Sequence, residues 1–311
     1  MGTVGHLDRH RLAQVFGERI RFAEPLSRHT SFRIGGPADV WVEVADAAEI
    51  RRVQACAAAT DLPLLVLGGG TNVLVSDRGV RGIVMHLSRA LASVEWRANG
   101  GSSRVRTGAA LPLKQLVSAA IARDLTGLEF AEGIPGTVGG GLLMNAGAFG
   151  GEVAAIVECV EGVNGCGQLE RLPRGDLRFG YRRLDLPRGF VVTHLELQLR
   201  AGERAAIAAR RGSAKRGRLA HQPLGYPNAG SIFKNPPGEF AGRLIEAAGM
   251  KGQRRGGAMV SRQHANFIVN VGSATAAEVR ELMTTVAHRV WELKGIRLQP
   301  EIKLVGDWSR P

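Results

Sequence analysis

Two glycine-rich stretches carry the clearest chemical signal in the chain: Gly127–Glu152 (GLEFAEGIPGTVGGGLLMNAGAFGGE) and Leu67–Asn72 (LGGGTN). Glycine gives up more backbone entropy on folding than any other residue, so a cluster marks backbone that must turn tightly or lie directly against something else. Main-chain amides presented in that way suit anionic oxygens. Leu128, Phe130, Ile134, Val138, Leu142, Leu143, Met144 and Phe149 are interleaved in the longer stretch, which excludes a linker or collagen composition. The shorter stretch lacks the GK[ST] ending of a P-loop, and no GxGxxG follows the first strand. Two glycine loops, each leaving a strand, could still wrap the two halves of a pyrophosphate, as a flavin dinucleotide between two α/β subdomains would require. Tight turns between strands are the plainer alternative.

Composition bounds the classes open to such a site. The chain has 311 residues, enough for two or three domains, with 44% apolar and 22% charged residues, the balance of a soluble globular protein. Lys and Arg number 41 against 28 Asp and Glu, a net charge of +13 that favours anionic partners. The basic residues are dispersed, and the densest cluster, Ala208–Arg218, reads as one face of a helix. Aromatics are only 5% and no nucleic-acid recognition motif occurs, which weighs against a nucleic-acid-binding protein. Cys56, Cys159 and Cys166 form no CxxC pair, so neither a disulfide framework nor a zinc site is expected. No metal is expected. Without a signal peptide or a membrane-length apolar run, a cytoplasmic location is the expectation.

The elements that must hold these loops follow in order. A short helical pattern spans 7–17. Ser31–Ile34 reads as extended, Gly35-Gly36-Pro37 as a turn, and Val40–Val44 as a strand. Asp46 and Glu49 open a helix with Ile50, Val53 and Ala57 inward. A buried strand precedes LGGGTN, a second runs from Val73 to Val75, and a third from Ile83 to Leu87. Strand-like pieces then flank Asn99-Gly100-Gly101, and a helix turns Leu113, Leu116, Val117, Ala120 and Ile121 inward. After the long glycine stretch come three strand-like runs, the last alternating cleanly from Val192 to Leu199. A third region opens near Arg210, with a helix ending at Gly249, a strand in ANFIVNVG, and a helix with a Thr275…Glu278 capping box and Gly295 at its end. Val279, Leu282, Met283, Val286, Val290 and Leu293 form its core stripe.

In this frame a resemblance becomes specific. TSFRIGGPAD, LGGGTNVLVSD, the whole of Gly127–Glu152, FGYR, GSIFKNPPGEFAGRLIEAAGMKG, GGAMVSRQHANFIVN and LQPEIKLVG run in order from Thr30 to Gly306. The chain resembles the UDP-N-acetylenolpyruvoylglucosamine reductase family, in its shorter subtype. The resemblance implies an α+β fold. Two α/β subdomains, 20–88 and 89–205, form a vanillyl-alcohol-oxidase-like FAD module, and an α/β substrate-binding domain covers 206–311, leaving open a return of the last residues to the second subdomain. It also implies NADPH-dependent, FAD-mediated reduction of the enolpyruvyl group of UDP-N-acetylglucosamine enolpyruvate in peptidoglycan precursor synthesis, with non-covalent FAD. A monomer is the expectation.

The family's site residues carry over by motif. Arg182 of FGYR matches the catalytic arginine, suited to a carboxylate by its permanently charged fork. Leu184 stands where the family commonly has serine. Ser231 of NAGSIFKNP matches the proton donor and Glu301 of LQPEIKLVG the third catalytic residue. Cofactor contacts are expected from Gly68, Gly69, Gly70, Thr71, Asn72, Gly133, Ile134, Pro135, Gly136, Thr137, Gly139, Gly140, Asn145 and Gly147. Substrate contacts are expected from Tyr181, Lys234, Asn235 and His264, with Arg254 as a further lining residue and Lys234 as a candidate activator of Ser231. Bare residue types would suggest a surface Arg182, a turn Ser231 and a structural His264. Another oxidoreductase on the same flavin module, acting on a different small acid or alcohol, is the nearest rival.

Overall fold

The computed structural model describes residues 13, 14 and 16–309, so most of the helical pattern at 7–17 lies outside the described residues. The strands are β1 (Ile20–Pro25), β2 (Pro37–Val44), β3 (Leu64–Val66), β4 (Val73–Val75), β5 (Val80–Leu87), β6 (Val94–Asn99), β7 (Ser102–Gly108) and β8 (Leu125–Thr126). They continue as β9 (Gly147–Ala148), β10 (Gly151–Glu152), β11 (Val157–Val163), β12 (Leu169–Pro173), β13 (Arg178–Gly180), β14 (Arg183–Asp185) and β15 (Val191–Ala201). The last four are β16 (Arg254–Arg255), β17 (Ala258–Val260), β18 (Ile268–Asn270) and β19 (Lys303–Val305). The α-helices are α1 (Ala47–Ala59), α2 (Leu113–Ile121), α3 (Val138–Leu143), α4 (Arg204–His221), α5 (Ala241–Ala247) and α6 (Ala276–Lys294). None of them is long and apolar enough to cross a membrane.

The chain divides into two compact units. The first comprises the described residues up to Arg21 with Trp41–Gly69 and Gly82–Arg218; the second comprises Phe22–Val40, Gly70–Arg81 and the described residues from Leu219. The borders fall inside β1, β2, β5 and α4, so the chain passes between units several times.

The first unit is built on a six-stranded sheet of order β12-β11-β15-β7-β6, with β8 pairing to β15. β15 pairs along its length with β7 and β11, and its alternation buries Leu195, Leu197 and Leu199. Those side chains share one core with Leu113, Leu116, Val117 and Ala120 of α2 and with Leu128, Phe130, Val138 and Leu142 of the glycine stretch. Asp46 caps α1 as expected, its carboxylate accepting from the Glu49 amide at 2.8 Å. β3 pairs in parallel with β5. It is not buried as expected: Val66 is 37% exposed, because β3 is a short strand with β5 as its one partner. α3 is also new, since a stretch so rich in glycine does not read as helix. Thr137 begins it by accepting the Gly140 amide on its hydroxyl.

In the second unit α5 and α6 share a core with the sheet β16-β17-β18. α6 carries the capping box between Thr275 and Glu278 and ends at a left-handed Gly295. Asp77 adds a second cap, its carboxylate accepting from Ala276 and Ala277 at 2.7 and 2.9 Å. Leu293, expected in the apolar stripe, is 46% exposed, lying beyond the last buried position, Val290. α5 is shorter than its pattern, closing at Ala247 with left-handed Gly249 donating to Glu246. Ser31–Ile34 is not a strand. It forms a turn in which Arg33 is left-handed, Thr30 and Ile34 bond to each other, and Ser31 donates to the carbonyls of Gly70 and Asn228. β19 pairs in parallel with β4, so the last residues return to residues 73–75 rather than to 89–205.

Candidate active site

In the first unit the two glycine stretches meet. Leu67 closes β3, its amide donating to Met85 and its carbonyl contacting Nδ1 of His86 at 2.9 Å, and Gly68-Gly69 follow. Opposite them, Gly136–Gly139 is stitched to the turn after β7. Leu113 donates to Gly136, Val138 to Leu111 and Gly139 to Ala109, at 3.0, 2.8 and 2.9 Å. A Cβ on Gly69 would lie 2.8 Å from the Gly136 Cα, and one on Gly68 2.9 Å from the Thr137 hydroxyl, so neither loop leaves room for a side chain between them. Among the described residues the amides of Gly68, Gly69, Gly136 and Thr137 donate to no group of the protein. A cradle of unpaired amides between glycine backbones fits a dinucleotide pyrophosphate.

Other expected cofactor residues are held differently. The Gly139 amide is committed to Ala109, whose Cβ would lie 2.9 Å from a side chain there. Gly140 donates to Thr137, and Gly147 lies against Glu152 in the β9–β10 hairpin. Ile134 donates to Ala131, Pro135 is exposed, and Gly133 packs on Arg218. Asn145 is buried, its side chain bonded to Gly180, Glu152 and Ala154. Gly70, Thr71 and Asn72 belong to the second unit, where the Gly70 carbonyl accepts from Ser31.

Arg182 sits in the two-residue turn of the β13–β14 hairpin, closed by the pairing of Gly180 with Arg183. Its φ is +56°, unusual for a residue with a side chain, and its guanidinium lies 5.1 Å from the centroid of the half-exposed Tyr181 ring. Leu184, in place of the family serine, pairs with Phe179 and is buried in the unit's core. Sequence reasoning missed Arg218. Its Nε donates to the Glu132 carbonyl at 2.6 Å and its guanidinium lies over the Phe149 ring. Burial holds Arg218 below the ordinary guanidinium value; the Glu132 charge opposes this and the Arg182 charge adds to it. Two arginines within electrostatic reach, one of them desolvated, make this part of the unit attractive to an anion. The signal was present in the basic cluster, but read as a helix face.

In the second unit the segment that carries Ser231 pairs with the segment that carries Glu301. Residues 231–234 run antiparallel to 299–302: Glu301 donates to Ile232 at 2.8 Å, Lys234 to Gln299 at 2.8 Å, and Phe233 faces Pro300. Asn72 donates its side-chain amide to the Glu301 carbonyl at 3.2 Å, bringing the end of LGGGTN to the same place. Buried Asn266, which sequence reasoning also missed, fixes this run from the other side. Its side chain bonds both the amide and the carbonyl of Phe233, and its own carbonyl accepts from Ile232. An Asn228 side chain accepting from Gly230 sets the turn that delivers Ser231. Ser231 is half-buried, and no hydrogen bond joins its hydroxyl to Lys234.

The remaining candidates divide by burial. Lys234 is half-buried, while Asn235 accepts from the Ala241 amide and so begins α5. His264 accepts from the Asn266 amide on Nδ1 and packs edge-on against Phe267. Burial, then the neighbouring His221 and Lys251 charges, lower its pKa, so its ring is neutral at pH 7. Arg254 is exposed, with Nε 3.3 Å from the Met259 sulfur.

An FAD binding domain model matches residues 38–172, and a model of the UDP-N-acetylenolpyruvoylglucosamine reductase C-terminal domain matches 222–305. UDP-N-acetylenolpyruvoylglucosamine reductase 2 of Symbiobacterium thermophilum is 50% identical over 296 residues, 94% of this chain and 95% of that protein. The reductase of Syntrophus aciditrophicus is 43% identical over 289 residues, 93% and 92% of the two chains. The crystal structure of the Thermus caldophilus enzyme superposes with a TM-score of 0.78 at 38% identity, covering 90% of this chain and 97% of that one. At 50% identity over nearly the whole of both chains, with the family's own C-terminal domain model matched, the chain belongs to the UDP-N-acetylenolpyruvoylglucosamine reductase family.

Proposed function

We propose that this chain reduces the enolpyruvyl group of UDP-N-acetylglucosamine enolpyruvate to give UDP-N-acetylmuramate for peptidoglycan synthesis, with Arg182, Ser231 and Glu301 as its catalytic residues. It is an FAD-dependent oxidoreductase that uses NADPH. Bound non-covalently, FAD supplies hydride chemistry between NADPH and the β-carbon of the enolpyruvyl group. The amides of Gly68, Gly69, Gly136 and Thr137 would hold its pyrophosphate, with Gly133, Ile134, Pro135, Gly139, Gly140 and Gly147 completing the cradle by backbone; Gly70, Thr71 and Asn72 are proposed as further cofactor residues. In this reading residues 20–88 and 89–205 serve the flavin and 206–311 the substrate.

The difficult species is the negative charge that develops next to the substrate carboxylate. Arg182 binds that carboxylate as a fork and stabilises the charge. Ser231 gives its proton to the α-carbon, and Glu301 polarises the enol ether. Tyr181, Lys234, Asn235 and His264 line the sugar and diphosphate. His264 does so as a neutral hydrogen-bonding group, because Nδ1 is an acceptor. We place the protein in the cytoplasm, as a monomer, with small-molecule rather than nucleic-acid partners.

The antiparallel seating of residues 231–234 on 299–302, which joins the segment that carries Ser231 to the one that carries Glu301, is the observation that carries this assignment. Anaerobic stopped-flow absorbance tests it. NADPH should bleach the flavin, and UDP-N-acetylglucosamine enolpyruvate should restore its colour. Ser231→Ala should keep flavin binding and bleaching while losing the recolouring. Loss of both half-reactions together in Ser231→Ala would remove its proton-donor role, and a colourless protein that takes up no FAD would remove the whole reading.

A further inference from the structure

We infer that Asn145 positions Arg182 for the substrate and makes no side-chain contact with the flavin. Asn145 is 2% exposed, just past the end of α3, with φ +40°. Its Nδ2 donates to the Gly180 carbonyl at 3.2 Å and to Glu152 Oε2 at 3.1 Å, and its Oδ1 accepts from the Ala154 amide at 3.0 Å. A carboxamide has two N–H donors, and both are committed. It has no donor left for a ligand, although it lies in the middle of the glycine stretch.

The partner it holds is informative. Gly180 is the last residue of β13 and immediately precedes the Tyr181-Arg182 turn. Arg182 occupies the left-handed region, which a side chain tolerates only when its surroundings impose it. The hairpin is two short strands that pair only with each other, with Leu184 buried beneath. A hairpin that small is marginal alone. The bond from Asn145 ties its turn to the glycine stretch, and the Glu152 and Ala154 bonds fix Asn145 in turn. One side chain therefore couples the backbone of the cofactor segment to the backbone that aims Arg182.

This role rests on the proposed function of Arg182, and the experiment separates the two. Full-length Asn145→Asp, Arg182→Lys and the double variant are compared with wild type. Asn145→Asp keeps the shape but sets a carboxylate against the Gly180 carbonyl and Glu152. FAD affinity of the apoprotein is read by tryptophan fluorescence, and both half-reactions by anaerobic stopped flow. Asn145→Asp should bind FAD and be reduced by NADPH within about twofold of wild type, while reoxidation by UDP-N-acetylglucosamine enolpyruvate slows by about tenfold or more, the scale of a misplaced catalytic group. In the Arg182→Lys background the same change should add less than about twofold, because it acts through the arginine. Additive losses, or weakened FAD affinity with reoxidation intact, would overturn the role of Asn145 alone. Wild-type reoxidation by Arg182→Lys would overturn the arginine's role and this inference with it. Asn145→Ser, too short to span the bonds and uncharged, carries the same test if Asn145→Asp does not fold.

Discussion

Where Gly69 faces Gly136, two backbones approach so closely that one methyl group decides the outcome. Gly69→Ala would put its Cβ 2.8 Å from a backbone atom that cannot rotate away. The clash should cost about 1–3 kcal/mol, read from urea unfolding of the apoprotein. It should weaken FAD binding as well, since the displaced amides are the ones proposed to hold the pyrophosphate. Gly140 makes a useful contrast. It lies in α3, where the nearest neighbour of an added Cβ is the Thr137 hydroxyl at 3.4 Å, an ordinary contact. Gly140→Ala should therefore stabilise the apoprotein by about 0.5–1 kcal/mol through helix propensity. If Gly140 also faces the flavin, as proposed, the holoprotein will lose that gain and FAD affinity will fall. A gain kept equally in both forms would remove Gly140 from the cofactor's contacts.

At the scale of the element, α4 explains most of the basic cluster at 208–218. Arg210 pairs with Glu129, Arg211 with Glu132, and Arg218 donates to the Glu132 carbonyl, so the helix clamps the start of the glycine stretch. Burial pushes the Glu129 carboxyl up, but bonds from Thr126, the Gly127 amide and Arg210 together outweigh it and hold it below the ordinary carboxylate range. A carboxyl depressed in the folded state contributes stability that is fully present above its unfolded value, about 4.3, and is lost as pH falls through the lower folded value. Glu129→Gln should accordingly lower the urea midpoint at pH 7, with the difference from wild type shrinking in acid; a gap that holds constant into acid would mean the ionised form contributes nothing. How legible such elements were depends on how local their causes are. The ends of α6 could be read because Thr275, Glu278 and Gly295 act within a few residues. The turn at Ser31–Ile34 could not, because Ser31 is held by Gly70 and by Asn228, which lies 197 residues away. The clamp of α4 and the Asn145–Gly180 bond escaped for the same reason, and the motif supplied Ser231 and Glu301 without the pairing between their segments.

Over the whole molecule, each of the two units is assembled from separated stretches of chain, because strand pairing and not chain order decides contact. The charge was legible from the start, and its structural use is now partly visible: Arg19, Arg106, Arg171, Arg204, Arg210 and Arg211 each pair with a carboxylate. Pairing consumes equal numbers of both signs, so it leaves the net +13 untouched. That excess acts at a distance, and NADPH and a nucleotide-sugar substrate are both polyanions. Raising ionic strength shortens the reach of the field from about 30 Å at 0.01 M to about 8 Å at 0.15 M. The second-order rate of flavin reduction at low NADPH should therefore fall by about tenfold across that range, as electrostatically steered encounters do. The limiting rate at saturating NADPH should change little, since hydride transfer within the complex brings no charge from solution. Stopped-flow titrations at the two salt concentrations separate these terms. A second-order rate indifferent to salt would mean that the excess charge does not act on NADPH encounter and serves something other than the reaction.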